Sequence, residues 1–254
     1  MRIGIAGIAG RMGQLLAEEI PAAGATLAGG TIQLDVDTPP SNTTIFPTIE
    51  ELAANCDLVI DFTHPDTVAC HAAALAAART AWVLGTTGYT AQDQAAIEAA
   101  ASQIPVIAAP NYSPGVNLVL ILAERLAAAL PAASYDAEIL EMHHRQKIDA
   151  PSGTALAIGR AVAKGRHQDF DQIAVTSRAG HIGPRPDGAI GFAALRGGQV
   201  VGDHTLIFAS PSEHITLGHQ ALDRRTFATG AVRAALWLYG KSPGLYAMRD
   251  VLGL

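Results

Sequence analysis

Apolar and polar positions along the first half of the chain follow a repeated rhythm. Short apolar runs are separated by longer, alanine-rich stretches of helical spacing. The runs at residues 2–6, 26–31, 58–61, 82–84 and 106–108 are too short for helices and suit strands covered on both faces. Between them, residues 11–22, 50–54, 65–78 and 91–102 carry helical composition, with Thr90 as a start signal before Ala91. Strands alternating with helices in this way predict an α/β fold built on a Rossmann-like, doubly wound parallel sheet.

From about residue 114 the rhythm changes. A longer helical run, 115–130, leads to an apolar run at 135–140, and residues 173–220 then alternate in the manner of antiparallel strands. An Arg196-Gly197-Gly198-Gln199 turn joins residues 190–195 to Val200 and Val201, as in a hairpin. The glycine-bounded stretch 180–188, with His181, Pro184 and Arg185, reads as a mobile loop, and its basic residues fit a solvated surface equally well. Residues 226–239 form an amphipathic helix expected to return to the first domain. The expected organisation is therefore a dinucleotide-binding domain of residues 1–113 and 221–254, with a second domain at 114–220. That second domain is expected to be α+β, with a mixed, largely antiparallel sheet.

Composition narrows the class of ligand. The chain has 254 residues, 49% of them hydrophobic, enough for a sizeable globular core. A formal charge of −6 argues against a nucleic-acid binder and points to small molecules. Cys56 and Cys70 stand in unrelated contexts without a metal or redox motif, which suits a reducing, cytoplasmic compartment. The opening apolar run breaks early at a glycine turn and Arg11, so no secretion signal is expected. The most apolar stretch, 118–123, ends at Glu124 and Arg125, far short of a membrane span, and a soluble protein is expected.

Candidate chemistry begins after the first strand. Gly7-Ile8-Ala9-Gly10-Arg11-Met12-Gly13 places a glycine at every third position as a helix opens. A dinucleotide site needs glycine where the chain turns sharply, where backbone meets the pyrophosphate and where the helix packs on the sheet. Ala9 stands where the strict fingerprint has its second glycine. The loops Gly85-Thr86-Thr87-Gly88 and Ala109-Pro110-Asn111-Tyr112-Ser113 follow two other strands at their carboxyl ends, where ligands of open α/β sheets collect. Either loop alone is also ordinary turn chemistry.

The densest chemistry lies at residues 141–155, which include Glu141, His143, His144, Arg145, Lys147, Asp149, Pro151, Ser152, Gly153 and Thr154. Adjacent histidines at the end of a strand point to opposite faces, so one can face a pocket while the other serves a different task. Lys147 supplies a compact ammonium, and Ser152 is a natural N-cap whose helix start offers N–H groups to a carboxylate. Together these residues describe a site that binds an acidic substrate and moves a proton, although a Ser-Gly-Thr start is by itself also a simple cap. No metal is expected, because adjacent ligands on a strand diverge and no ligand motif accompanies them.

These strings, with Asp61-Phe62-Thr63, Ser177-Arg178-x-Gly180-His181 and Phe227-Ala228-x-Gly230-Ala231-Val232-Arg233, run nearly end to end. The chain thereby resembles the 4-hydroxy-tetrahydrodipicolinate reductases, also called dihydrodipicolinate reductases, of lysine and diaminopimelate biosynthesis. The resemblance implies hydride transfer from NADPH or NADH to a cyclic unsaturated imine dicarboxylate. It implies that His143 is the proton donor and Lys147 the second catalytic group, with His144, Gly153 and Thr154 holding the substrate carboxylates. It implies cofactor contacts at Gly7, Ile8, Ala9, Gly10, Arg11 and Met12, at Gly85, Thr86 and Thr87, and at Ala109, Pro110, Asn111 and Tyr112. It further implies a homotetramer joined through the second-domain sheets.

At the end of the second strand the chain departs from many members of that family. Ile32 and Gln33 stand where an acidic residue often binds the ribose hydroxyls, and Asp35 and Asp37 come slightly later. Without that carboxylate a 2′-phosphate meets less repulsion, and Arg11 could pair with it, so NADPH is expected to be accepted alongside NADH. Rival readings are another two-domain dehydrogenase of the aspartate or homoserine type, or a non-catalytic nucleotide-sensing subunit. The dehydrogenase reading does not explain the string from His143 to Thr154, whereas the non-catalytic one stays open, because fold alone does not prove chemistry.

Overall fold

The computed structural model describes residues 1–33 and 43–254, so Asp35 and Asp37 lie outside the described residues. The chain forms two compact units, one of Met1–Pro114 with Arg225–Leu254 and one of Gly115–Arg224.

The first unit is built on a six-stranded parallel sheet. Its strands are β1 (Arg2–Ala6), β2 (Thr26–Gly30), β3 (Leu58–Asp61), β4 (Ala81–Leu84), β5 (Pro105–Ala108) and, from the chain's end, a strand at Gly244–Tyr246. They lie in the order Gly244–Tyr246, β5, β4, β3, β1, β2. Alternate residues feed two separate cores, as strand geometry requires. Ile3, Ile5, Leu58, Ile60 and Val83 enter one, while Val59, Trp82 and Leu84 enter the other. Helix α1 (Arg11–Ala22) covers the first core through Leu16 and Ile20, whose complete burial contributes about 2 kcal/mol each. Helices α2 (Ile49–Ala54), α3 (Val68–Ala78) and α4 (Ala91–Ala101) cover the second. A 3₁₀ turn at Pro65–Thr67 precedes α3, where the sequence predicts one uninterrupted helix. Strand order reverses at β1, with β2 on one side and β3 on the other, which opens a crevice at their carboxyl ends.

The second unit opens with α5 (Pro114–Ala129). Its sheet contains β6 (Asp136–His143), β7 (Ala174–Val175), β8 (Ile190–Arg196), β9 (Gly202–Ala209) and β10 (His214–Ala221), in the order β10-β9-β6-β8-β7. The helices are α5, α6 (Gly153–Gly165) and α7 (Phe170–Ile173), and the core joins Val119, Ile158 and Val162 to Ile139, Phe192 and Phe208. The sheet is mixed: β9 is antiparallel to β6 and β10, whereas β8 is parallel to β6 and β7. Two expectations need correction. The Arg196–Gln199 turn does not close a hairpin, because β6 lies between β8 and β9. The apolar run expected to end at Leu140 continues as strand to His143, since β8 pairs with it to His143↔Arg196 and β9 to Met142↔Asp203.

The chain then returns to the first unit through α8 (Arg225–Leu238), the edge strand β11 (Gly244–Tyr246) and α9 (Met248–Leu252). Ala228, Ala231, Ala235 and Leu238 of α8 complete the first core, and Arg225 pairs with Glu18 and Glu19 of α1. The loop at 180–188 is not simply solvated. Arg185 bonds to Asp136, Glu138 and the carbonyls of Ala137 and Ala189, and Arg178 grips Glu138 with both terminal nitrogens. Among the described residues no helix is long and apolar enough to cross a membrane.

Candidate active site

In the second unit the inward positions of β6 change from apolar to polar at its carboxyl end. Ala137, Ile139, Glu141 and His143 alternate on the buried face. The Glu141 side chain is 0% exposed. It accepts from Arg196 Nη1 at 2.8 Å and Nη2 at 2.8 Å, from the Ser152 amide at 3.1 Å and from His143 Nδ1 at 2.6 Å. Burial alone would raise the Glu141 carboxyl, but the bonds from Arg196, His143 and Ser152 outweigh it and hold the group below its ordinary value. An ionised carboxylate only accepts, so His143 Nδ1 is the donor. Arg196 also donates to the carbonyls of Leu195 and Asp149, each at 2.6 Å.

His143 is 8% exposed. Burial is the largest influence on it and lowers its pKa, Glu141 opposes, and the charges of Lys147 and Arg196 lower it further. His204 of β9 meets it edge to face, with ring centroids 5.0 Å apart. Burial and the neighbouring His143 push His204 down to about 4, so it is neutral at physiological pH. His204 Nε2 lies 3.0 Å from Ser152 Oγ, which accepts from the Ala155 amide as the N-cap of α6. Ser152 is therefore engaged through both its hydroxyl and its amide, and it anchors the helix start instead of presenting a free group to a substrate. Gly153, the first residue of α6, faces open space, and Thr154 follows it.

The two adjacent histidines sit in different surroundings. His144 Nε2 lies 3.2 Å from Arg224 Nη2. Guanidinium only donates, so Nε2 accepts and the His144 proton sits on Nδ1, which is buried without a hydrogen-bond partner. A buried unsatisfied donor of this kind fits a carboxylate oxygen. Lys147 Nζ pairs with Asp149 at 2.7 Å and is 21% exposed. Burial would raise the Asp149 carboxyl, but Lys147 and Arg196 hold it below its ordinary value.

In the first unit, a cavity of about 450 Å³ lies at the crevice. Gly7 and Gly10 line it, together with Thr31, Ile32 and Gln33 after β2 and Phe62, Thr63 and His64 after β3. Gly7 has φ +78°, and a β-carbon at Gly13 would overlap the Gly7 carbonyl, so both glycines are required for the turn and the helix approach. No side chain caps α1. Asp61, fully buried, fastens the wall by accepting from His71, Trp82 and Thr63. In the second glycine loop a β-carbon at Gly85 would overlap the Phe62 ring, and Thr86 Oγ1 is buried without a partner. This glycine cradle and orphaned hydroxyl fit a dinucleotide.

The remaining expected cofactor residues differ in what they can offer. Ile8 is fully buried and its amide donates to the Thr31 carbonyl, so its side chain serves the core. Tyr112 is also core, its hydroxyl held by the carbonyls of Leu84 and Ile107, and Ala109 is buried. Ala9, Met12 and Thr87 border the glycine turns, Asn111 accepts from the Ser113 amide, and Arg11 and Pro110 are exposed. Sequence reasoning missed the parts played by Glu141, Arg196, His204 and Arg224. Spacing alone could have linked Glu141 to His143, two residues apart on one strand; the others come from distant segments. Among the described residues no three His, Cys, Asp or Glu side chains are grouped to hold a metal ion.

Comparison with known proteins covers both units. The family model described as "Dihydrodipicolinate reductase, N-terminus" matches residues 1–112, and that described as "Dihydrodipicolinate reductase, C-terminus" matches residues 115–252. The chain is 62% identical over 254 residues to the 4-hydroxy-tetrahydrodipicolinate reductase of Acidiphilium cryptum, covering 100% of this chain and 98% of that protein. It is 60% identical to that of Gluconacetobacter diazotrophicus, with the same coverage. Among solved structures, a dipicolinate-bound dihydrodipicolinate reductase from Paenisporosarcina sp. TG-14 matches with a TM-score of 0.80, at 24% identity and 98% coverage of each chain. At that identity the likeness concerns the fold.

Proposed function

The chain belongs to the dihydrodipicolinate reductase family, and from that premise we infer how its own residues carry out the NAD(P)H-dependent reduction that makes it a 4-hydroxy-tetrahydrodipicolinate reductase. The reduced nicotinamide, when bound, supplies hydride to a conjugated cyclic imine bearing two carboxylates. The first unit holds the dinucleotide at the Gly7–Gly13 turn and the cavity beside it, with Thr86 supplying a hydroxyl from the second glycine loop. The second unit holds the substrate. The His144 Nδ1 donor and the start of α6 at Gly153 and Thr154 take its carboxylates, and Lys147 offsets its charge.

Hydride addition leaves an enamine that must collect a proton on carbon. His143 donates it from Nε2, the nitrogen that Glu141 does not hold. Its lowered pKa in the free protein is no obstacle, because a bound dianion favours the imidazolium. The observation that carries this reading is the unpartnered, buried Nδ1 of His144 next in sequence to a clamped His143. The test is a coupled assay in which the cyclic imine is made in place from its precursors. NAD(P)H oxidation that depends on fresh imine supports the reading, and oxidation independent of it overturns it.

The oligomer follows the same reasoning. Leu140 and Leu195, 39% and 48% exposed, lie on the sheet face opposite the helices, which supports a homotetramer joined through these sheets. Light scattering of the purified protein decides it. A cytoplasmic location suits an NAD(P)H-consuming enzyme with two unpaired cysteines.

A further inference from the structure

We propose that Glu141 is a positioning residue: locked by Arg196, it holds the Nδ1 proton of His143 and leaves Nε2 as the nitrogen through which the reaction's proton passes. The proposal rests on the reading of His143 as proton donor and adds the group that makes one of its two nitrogens the acid.

The argument is geometric. Glu141 and His143 are two residues apart on β6 and therefore share a face. A fully buried carboxylate is strongly disfavoured unless its lone pairs are filled. Here the Arg196 fork and the Ser152 amide take three sites and His143 Nδ1 takes the fourth. Arg196 cannot swing away without abandoning the carbonyls of Leu195 and Asp149 as well. Ser152 is in turn tied to α6 and His204. The carboxylate is thus fixed by three separate segments of chain, and His143 is the only one of its contacts that carries an exchangeable ring proton. Nδ1 stays protonated in both states of the ring, and gain and loss of a proton occur at Nε2.

The charged and titratable groups facing His143 are Glu141 on its own strand, Arg196 from β8, His204 from β9 and Lys147 from the following loop, with Asp149 behind Lys147. Glu141 is the anion in direct contact with the ring. Its removal leaves the cations Lys147 and Arg196 near His143 with no anion in contact with the ring, and both disfavour the imidazolium.

Two measurements test this on the full-length protein. In the unmutated enzyme, nitrogen NMR of the histidine rings is expected to show neutral His143 with its proton on Nδ1; the opposite tautomer overturns the proposal and requires no variant to fold. In Glu141→Gln the alkaline limb of the kcat profile is expected to move down by about one pH unit or more. Turnover at neutral pH is expected to fall about tenfold, with the KM for cofactor unchanged, and Glu141→Asp is expected to restore part of it. A Glu141→Gln profile that overlays the unmutated one, while His143→Gln lowers turnover, removes the positioning role and leaves the proton donor in place. Unchanged turnover in His143→Gln removes the donor and this proposal with it.

Discussion

A β-carbon on Gly202 would lie 2.9 Å from Nε2 of His143, closer than real contacts allow. The backbone of β9 therefore passes directly beside the nitrogen proposed above to carry the transferable proton. Gly202→Ala is expected to push the ring away from its place and lower kcat by about tenfold or more, roughly 1.4 kcal/mol in barrier. The KM for the nicotinamide cofactor, which binds the first unit, is expected to stay as it is. Steady-state kinetics with each substrate varied in turn separates the two effects.

His143→Gln and Lys147→Ala are each expected to reduce kcat by at least about tenfold, through loss of the proton and of the cation facing the dianion. Because Lys147 also pairs with Asp149, its removal leaves that carboxylate without its ion-pair partner beside the proposed substrate site. The Lys147→Ala variant is therefore expected to show a raised KM for the ring substrate as well, and His143→Gln is not.

The pH dependence follows from the lowered His143 pKa. A general acid works in its protonated form, so activity falls as pH rises through its pKa. For kcat/KM that pKa belongs to the free enzyme and lies below the ordinary histidine value. For kcat it belongs to the complex, where the substrate's two negative charges raise it. The alkaline limb of kcat is expected at higher pH than that of kcat/KM. Profiles with the limbs in the reverse order would contradict the electrostatics described.

Arg196→Ala would strand a buried carboxylate. A destabilisation of about 3 kcal/mol is expected at pH 7.5. Glu141 has a depressed pKa in the folded protein, so its stabilising contribution is present above the unfolded value and is lost as pH falls through the folded one. In the variant, burial without Arg196 raises the carboxyl instead, and the deficit shrinks on acidification. Urea midpoints at pH 7.5 and pH 5 check both statements.

None of the described residues lining the first-unit cavity is acidic. NADPH is therefore expected to be used at least as well as NADH, and Arg11→Ala to lower kcat/KM for NADPH more than for NADH. Initial rates with the two cofactors give both comparisons. A strong preference for NADH would contradict the expectation.

Much of the first unit was legible because parallel strands buried on two faces are continuous apolar runs, and Gly7, Gly10 and Gly13 mark their turn by spacing alone. His143 and Lys147 were legible through local density of chemistry. The end of β6 was not, since Glu141 and His143 put polar residues at inward positions and broke the pattern that signals a strand. The neighbours of β8 were hidden for another reason: a turn of hairpin composition joins it to β9, while the pairing goes to β6, some fifty residues earlier. Arg196 and His204 reach the site only through that arrangement, and no local signal announces either.

The first sheet is closed by the chain's last segment. Residues 1–114 supply five of its strands, but α8, which covers Ile60 and Val83, and the edge strand β11 come only after the whole second unit has been made. On the ribosome, then, the nascent nucleotide-binding half has one apolar flank bare throughout synthesis of the other half.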